Sequence, residues 1–200
     1  MSCTAQFRQR RREAGFTLVE VLIAGVVLVT GILGILGLFA LAIGNNSRSR
    51  LDSTSTMLAQ SVVEQISGSL AQGGPDQLTD CASSPNTWTI TKAPGGASLK
   101  SDGTIDFNGQ SQSSLMDAGC AGGGGTSCYA MSYVVCNNGG ASGTPLTYDV
   151  RWNIQAVGST RVYLVTVGAR PLNTGLARFS FGLPITLRSY VGEMQHDLGL

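Results

Sequence analysis

Charge is scarce in this chain, and so are the residues that usually carry chemistry. Only 12% of its 200 residues are charged, against roughly 25% in ordinary soluble domains. The single histidine, His196, sits in a polar C-terminal stretch with no nucleophile motif around it. It reads as part of a solvated tail. No nucleophile–base–acid set can be assembled elsewhere, so enzymatic activity is not expected. The sequence has no C-x-x-C pair and only one histidine, so a zinc site is not expected. No metal or cofactor is expected. The run Gly122–Gly125 is not followed by Lys-Ser/Thr and opens no helix, so it reads as a flexible loop and not a phosphate cradle. The stretch "SDGTIDFNG" contains Asp102, Asp106 and Asn108. Their spacing departs from an EF-hand loop, and a turn is expected there instead of a calcium site.

A net charge of +1 conceals an uneven distribution. Arg8, Arg10, Arg11 and Arg12 face only Glu13 in residues 1–15, and the remainder is slightly acidic. That remainder has no basic patch of the kind that binds nucleic acid directly. Glycine, serine, threonine and asparagine are plentiful downstream, which suits a loop-rich, extracytoplasmic β domain.

The long hydrophobic run decides more. From Val21 to Ile43 the only polar side chain is Thr30. At about 1.5 Å per residue this run covers the ~30 Å of bilayer hydrocarbon. The arginines ahead of it are held in the cytoplasm by the positive-inside bias, which places the C-terminal part across the membrane. A cleaved secretory signal could end at Ala40-Leu41-Ala42. Its apolar core is ordinarily ~7–15 residues, however, and this run is longer and headed by Glu20. A plain anchor suits the length but leaves Glu20 unexplained, because an unpartnered carboxylate in lipid costs about 2–3 kcal/mol or more.

The string Gly15-Phe16-Thr17-Leu18-Val19-Glu20, behind a basic leader and ahead of an apolar helix, closely resembles the type IV prepilin signature. The resemblance covers roughly the first quarter of the chain. It implies that a prepilin peptidase cuts between Gly15 and Phe16 and methylates the new amine of Phe16. It also implies that Glu20 pairs with a subunit's N-terminal amine during filament assembly, and that Cys3 leaves with the leader.

Gly31, Gly34 and Gly37 recur at every third position of the run. Close helix packing in lipid is the simpler reading. Alternatively these glycines weaken the helix, each by roughly 1 kcal/mol against alanine, as related pilins lose helicity here when packed in filaments. Beyond Ile43 the pattern becomes amphipathic, with Leu51, Leu58, Val62 and Ile66 on one stripe. One helix is therefore predicted from Phe16 to about Ser69, terminated by Gly68, Gly73, Gly74 and Pro75.

The chain then divides into a leader (1–15), a membrane or filament-core half-helix (16–44), an amphipathic half-helix (45–70) and an exported β domain (71–200). Residues 76–126 read as turn-rich, with a weak strand at Thr87–Thr91. In Thr147–Val157, Tyr148, Val150, Trp152 and Ile154 alternate with Asp149, Arg151, Asn153 and Gln155, the pattern of a half-buried antiparallel strand. Gly158-Ser159 is a candidate two-residue turn into a strand over Thr160–Ala169. Cys128–Cys136 reads as another strand, and Arg178–Val191 as an edge strand interrupted by Pro184. The fold class is α+β, a long N-terminal helix whose apolar stripe covers an antiparallel sheet.

Cys81, Cys120, Cys128 and Cys136 make an even set, as two disulfides in an oxidising compartment would require. Cys128 and Cys136, at opposite ends of one strand, would lie about 27 Å apart and cannot pair. Cys120–Cys128 with Cys81–Cys136 is preferred over Cys81–Cys128 with Cys120–Cys136, and both stay open.

The tracts "GILGILGLFALAIGNN", "MLAQSVVEQI", "YDVRWNIQ" and "VYLVTVGARP" are similar to minor pilins of the PilV type. That resemblance implies a non-enzymatic subunit taking part in type IV pilus assembly or modification, and so in adhesion or twitching. Its partners would be prepilin peptidase, major and minor pilins, the inner-membrane assembly platform, and membrane lipid before assembly. It would sit in the bacterial inner membrane with its C-terminal domain in the periplasm, and later in the filament. A minor pseudopilin of a type II secretion system shares the same N-terminus. A membrane-anchored periplasmic binding module with no filament role is the remaining alternative.

Mass spectrometry of the mature protein should find N-methyl-Phe16 at its N-terminus. An intact Met1 would instead indicate a plain anchor, and a start at Ile43 a secretory signal.

Overall fold

The computed structural model describes residues 17–72, 76–135, 145–158, 161–172 and 183–192. Gly15, Phe16, Cys3, Cys136 and His196 lie outside them. The chain forms two compact units, Met1–Ile43 and Gly44–Leu200.

One helix, α1, runs unbroken over Leu18–Gln72. No proline occurs within it, and Thr17 starts it by accepting hydrogen bonds from the N–H groups of Glu20 and Val21. In the first unit every described side chain of α1 is exposed, whereas a helix apolar all round is ordinarily buried in a core or a membrane. This helix is long and apolar enough to cross a membrane. Thr30, its one polar interruption, donates its hydroxyl to the carbonyls of Val26 and Val27 at 3.1 and 3.0 Å. The hydroxyl is thereby satisfied within the helix and adds little to the cost of an apolar environment.

The helix does not end at Ser69 as expected. Gly68 is inside it, and the helix continues to Gln72. One internal glycine costs about 1 kcal/mol, and the burial of Ile66 and Ser69 on either side offsets it.

The second unit holds the sheet. Strands β1 (Gln77–Thr79) and β2 (Thr87–Thr89) form a small antiparallel pair with Leu78 opposite Trp88. The main sheet comprises β3 (Gly95–Gly96), β4 (Ala130–Val135), β5 (Leu146–Ala156), β6 (Val162–Pro171) and β7 (Ile185–Gly192), with every pairing antiparallel. The long strand β5 is its axis. β6 and then β7 follow on one side, and β4 and β3 share the other side end to end. β7 begins directly after Pro184 and is the outer strand, where a proline is tolerated.

On the front face, Tyr148, Val150, Trp152, Ile154, Val165, Val167 and Ala169 form one core with Leu51, Leu58, Val62 and Ile66 of α1. The four α1 residues recur at helical spacing, and the strand residues alternate with period two. Both patterns therefore aim their apolar side chains at the same seam.

The back face departs from expectation. β5 reads as half-buried, yet Asp149 and Arg151 are only 1% and 3% exposed. The segment 97–115 covers them, and Ala97, Ile105, Phe107 and Leu115 build a second core with Ala130. The cover is so close at Gly168 that an added Cβ would lie 2.8 Å from Cβ of Ile105. The sheet is thus enclosed on two faces, by α1 and by an irregular segment.

Ser159 of the expected β5–β6 turn lies outside the described residues. Beyond the strands, Val157 donates to the carbonyl of Val162 at 2.8 Å. Gly158 adopts φ +67°, which glycine accommodates without strain.

Ile66→Ala should destabilise the second unit by about 2–5 kcal/mol, whereas truncating the exposed Met57 should change stability by less than about 0.5 kcal/mol. Gly168→Ala should cost about 1–3 kcal/mol by overpacking against Ile105. Chemical denaturation of the detergent-solubilised chain measures all three.

Candidate functional site

Three places hold residues with a claim to function: the head of α1, the disulfide region, and the charged cluster behind the sheet.

At the head of α1, the Thr17 hydroxyl accepts from the N–H of Glu20 at 3.3 Å. Thr17-Leu18-Val19-Glu20 thus has the T-x-x-E form of a capping box, with Thr17 at the N-cap. Glu20 lies in the first helical turn, where the helix macrodipole favours a negative charge by about 0.3–1 kcal/mol. The T-x-x-E spacing is the signal that could have revealed this cap, but the hydrophobic run that follows directs a sequence reading to the membrane instead. Gly15 and Phe16 lie outside the described residues. Below Glu20, an added Cβ at Gly25, Gly31, Gly34 or Gly37 meets no atom within 4 Å. The helix is continuous through 31–37 in the single chain.

In the second unit, Cys120 and Cys128 are bonded, with their Cα atoms 5.6 Å apart. Both are buried. The intervening glycines are tightly held, in contrast to the flexible loop expected from sequence. Gly122 and Gly124 donate to the Gly119 carbonyl at 3.0 and 3.1 Å, and Gln77 donates to the Gly123 carbonyl at 2.9 Å. Asp117 accepts from the Thr126 hydroxyl at 3.0 Å and the Ser127 N–H at 2.9 Å. A Cβ at Gly125 would lie 2.7 Å from the Cys120 sulfur, so only glycine fits against the bridge. Cys81 is disulfide-bonded too, to a partner outside the described residues. Its N–H bonds the carbonyl of Val134 at 3.0 Å, two positions before Cys136 in sequence.

Next to Cys81, Asp80 organises the β1–β2 connection. Its carboxylate accepts from the N–H groups of Ala82 (3.2 Å) and Asn86 (2.8 Å), the Asn86 amide (3.2 Å) and the Trp88 indole (3.0 Å). Burial pushes its carboxyl up, but the four hydrogen bonds together outweigh that and hold it below the usual carboxylate range.

Asp102 and Asp106 are engaged in turns. The Thr104 hydroxyl and N–H donate to Asp102 at 2.7 and 2.8 Å, and hold its carboxyl low. The N–H of Asn108 donates to Asp106 at 2.9 Å. Among the described residues, no group of three His, Cys, Asp or Glu side chains could hold a metal ion.

Behind the sheet, one carboxylate serves two guanidinium groups. Arg151 donates to Asp149 through Nε at 3.0 Å and Nη2 at 2.9 Å, and through Nη1 to the Gln110 carbonyl at 2.7 Å. Arg170 reaches the same carboxylate through Nε and Nη2, each at 3.1 Å. The guanidinium carbons lie 5.2 Å (Arg151) and 4.6 Å (Arg170) from the centre of the Phe107 ring. No nucleophile is among these groups. The arrangement is a brace tying segment 97–115 to β5 and β6. Alternation alone placed Asp149 and Arg151 on a solvated face, and only the buried cover reveals their pairing.

No family model, no curated protein and no solved structure matches the chain.

Replacing Asp149 with Asn should cost about 3–5 kcal/mol, because it leaves two largely buried cations without a counter-charge. Asp80→Asn should lose about 1–3 kcal/mol at neutral pH. Because the folded-state pKa of Asp80 is depressed, its contribution is complete above the ordinary value of 3.8 and is lost as pH falls through the lower folded value. Unfolding midpoints measured between pH 7 and pH 2 should therefore converge for wild type and Asp80→Asn in acid.

Proposed function

We propose that this chain is a minor pilin. It is anchored in the inner membrane with its second unit in the periplasm, processed between Gly15 and Phe16, and incorporated into a type IV pilus that it helps assemble or modify. Its role is structural and not catalytic. The carrying observation is the position of Glu20, a carboxylate in the first turn of a helix whose next 23 residues, Val21 to Ile43, are apolar apart from Thr30 and exposed in the single chain.

Magnitudes favour a partner for Glu20 from outside this segment. The helix macrodipole supplies about 0.3–1 kcal/mol, short of the roughly 2–3 kcal/mol or more that a carboxylate costs within lipid. An ammonium group close by closes that gap, and its attraction strengthens as water is removed. Cleavage before Phe16 generates such a group at the right end of the helix. Two further features support the reading. The described side chains of the apolar half-helix up to Ile43 are all exposed in the single chain, and the bridges at Cys120–Cys128 and Cys81 suit an oxidising periplasm.

Glu20→Ala should be processed and accumulate normally, yet be absent from sheared pili probed by immunoblot. Incorporation at the wild-type level would overturn the pairing. Deletion of the gene should reduce piliation or twitching. A selective loss of protein secretion with intact pili would assign the chain to a type II secretion pseudopilus.

A further inference from the structure

The back of the second unit carries a cleft that the proposed assembly does not use. It has a volume of about 400 Å³, and its walls include Lys100, Asn108, Arg170, Pro171, Leu172 and Pro184. That size is within the usual range for small-ligand sites. The segment 173–182 lies outside the described residues, and no part of the site is drawn from it.

Charge bookkeeping gives the cleft its sign. Asp149 is shared by Arg151 and Arg170, so this trio has one uncompensated positive charge. Arg170 commits Nε and Nη2 to Asp149, and Nη1 has no hydrogen-bond partner among the described residues. Its side chain remains 31% exposed on the cleft side of the brace. Lys100 adds a second cation at the wall; it makes no ion-pair contact among the described residues, although its charge is felt by Asp102. The acids of the same segment do not line the cleft. Asp102 is held by Thr104, and Asp106 by the N–H of Asn108.

The walls refine the ligand. Pro171, Leu172 and Pro184 present rigid C–H surface, while Asn108 offers both a donor and an acceptor from an exposed position. Arginine and lysine side chains take phosphate as readily as carboxylate, so the two cations fix only an anion. The apolar wall and the Asn108 carboxamide, which inorganic phosphate would leave unused, are what point to an anion carried on a hydroxylated ring. This cleft offers an ammonium, a guanidinium and a carboxamide on side chains above an apolar wall. We propose that it binds an acidic sugar. Lys100 and Arg170 take the carboxylate, Asn108 takes ring hydroxyls, and the proline–leucine wall takes the C–H face of the ring. The site stands whether or not the chain enters a filament.

The full chain in detergent micelles should be titrated by calorimetry with glucuronate, glucose, inorganic phosphate and N-acetylalanine. Glucuronate should bind saturably and glucose should not. Phosphate and N-acetylalanine should bind at least about tenfold more weakly than glucuronate, a difference of about 1.4 kcal/mol. Lys100→Glu should weaken glucuronate at least about tenfold without altering the melting temperature, since Lys100 is exposed. Asn108→Ala, also exposed, should weaken glucuronate while leaving the melting temperature unchanged. Undiminished binding in Lys100→Glu, equal binding of glucose, or the absence of saturation would overturn the proposal. Phosphate or N-acetylalanine binding as tightly as glucuronate would overturn the sugar assignment.

Discussion

The second unit depends on one seam, the contact of Leu51, Leu58, Val62 and Ile66 with the front of the sheet. A twisted antiparallel sheet of this size cannot leave a face of Tyr148, Val150, Trp152 and Ile154 in water, and no other α-helix is present among the described residues to cover it. The register of β5 follows from this constraint. A one-residue slip would carry all four side chains to the opposite face. Once β5 is fixed, β6 pairs along it from Tyr148 to Ala156, and β4 and β3 take the remaining edge. The same helix that begins as an all-round apolar element therefore also sets the geometry of the sheet.

The opposite face solves a different problem. Segment 97–115 has little regular structure with which to satisfy its backbone, and it contributes Ala97, Ile105, Phe107 and Leu115 to the buried core, with Leu99 partly buried against them. What ties it down is polar. Arg151 reaches the Gln110 carbonyl, Gln110 accepts from the Ser98 N–H, and Asn153 donates to the Ala97 carbonyl. Phe107 lies against both guanidinium groups. A buried ion cluster of this kind contributes less net stability than its distances suggest, since desolvation opposes it. Its value lies in fixing one arrangement of a loop that apolar contacts alone would leave degenerate.

Periodicity explains which parts were legible in sequence. The α1 stripe and the alternation in β5 are regular signals, and the helix, the sheet and its antiparallel order follow from them. The α+β class is what the structure shows. The back cover was not legible because Ala97, Ile105, Phe107 and Leu115 recur with no period, so the segment resembles a solvated loop. Asp149 and Arg151 were then assigned to water on the strength of alternation alone. Asp80 was missed for a similar reason: an acid in a turn-rich stretch carries no mark that distinguishes a solvated carboxylate from one with four donors. At the N-terminus the string around Glu20 was explicit, yet the capping role of Thr17 emerged only from the hydrogen bond it makes.

The glycines of the apolar half-helix have a consequence for what stability can report. A Cβ added at Gly25, Gly31, Gly34 or Gly37 would point into open space and touch nothing beyond the adjacent turns of the helix. Within one molecule, exchanging any of them for alanine removes a backbone-entropy penalty and meets no steric objection. The isolated subunit therefore has no reason of its own to keep them, and selection on its folding would erase them. If they are kept for a reason, it is written in the surroundings of the helix. A melting curve cannot see it, and only a property of the molecule among its neighbours can.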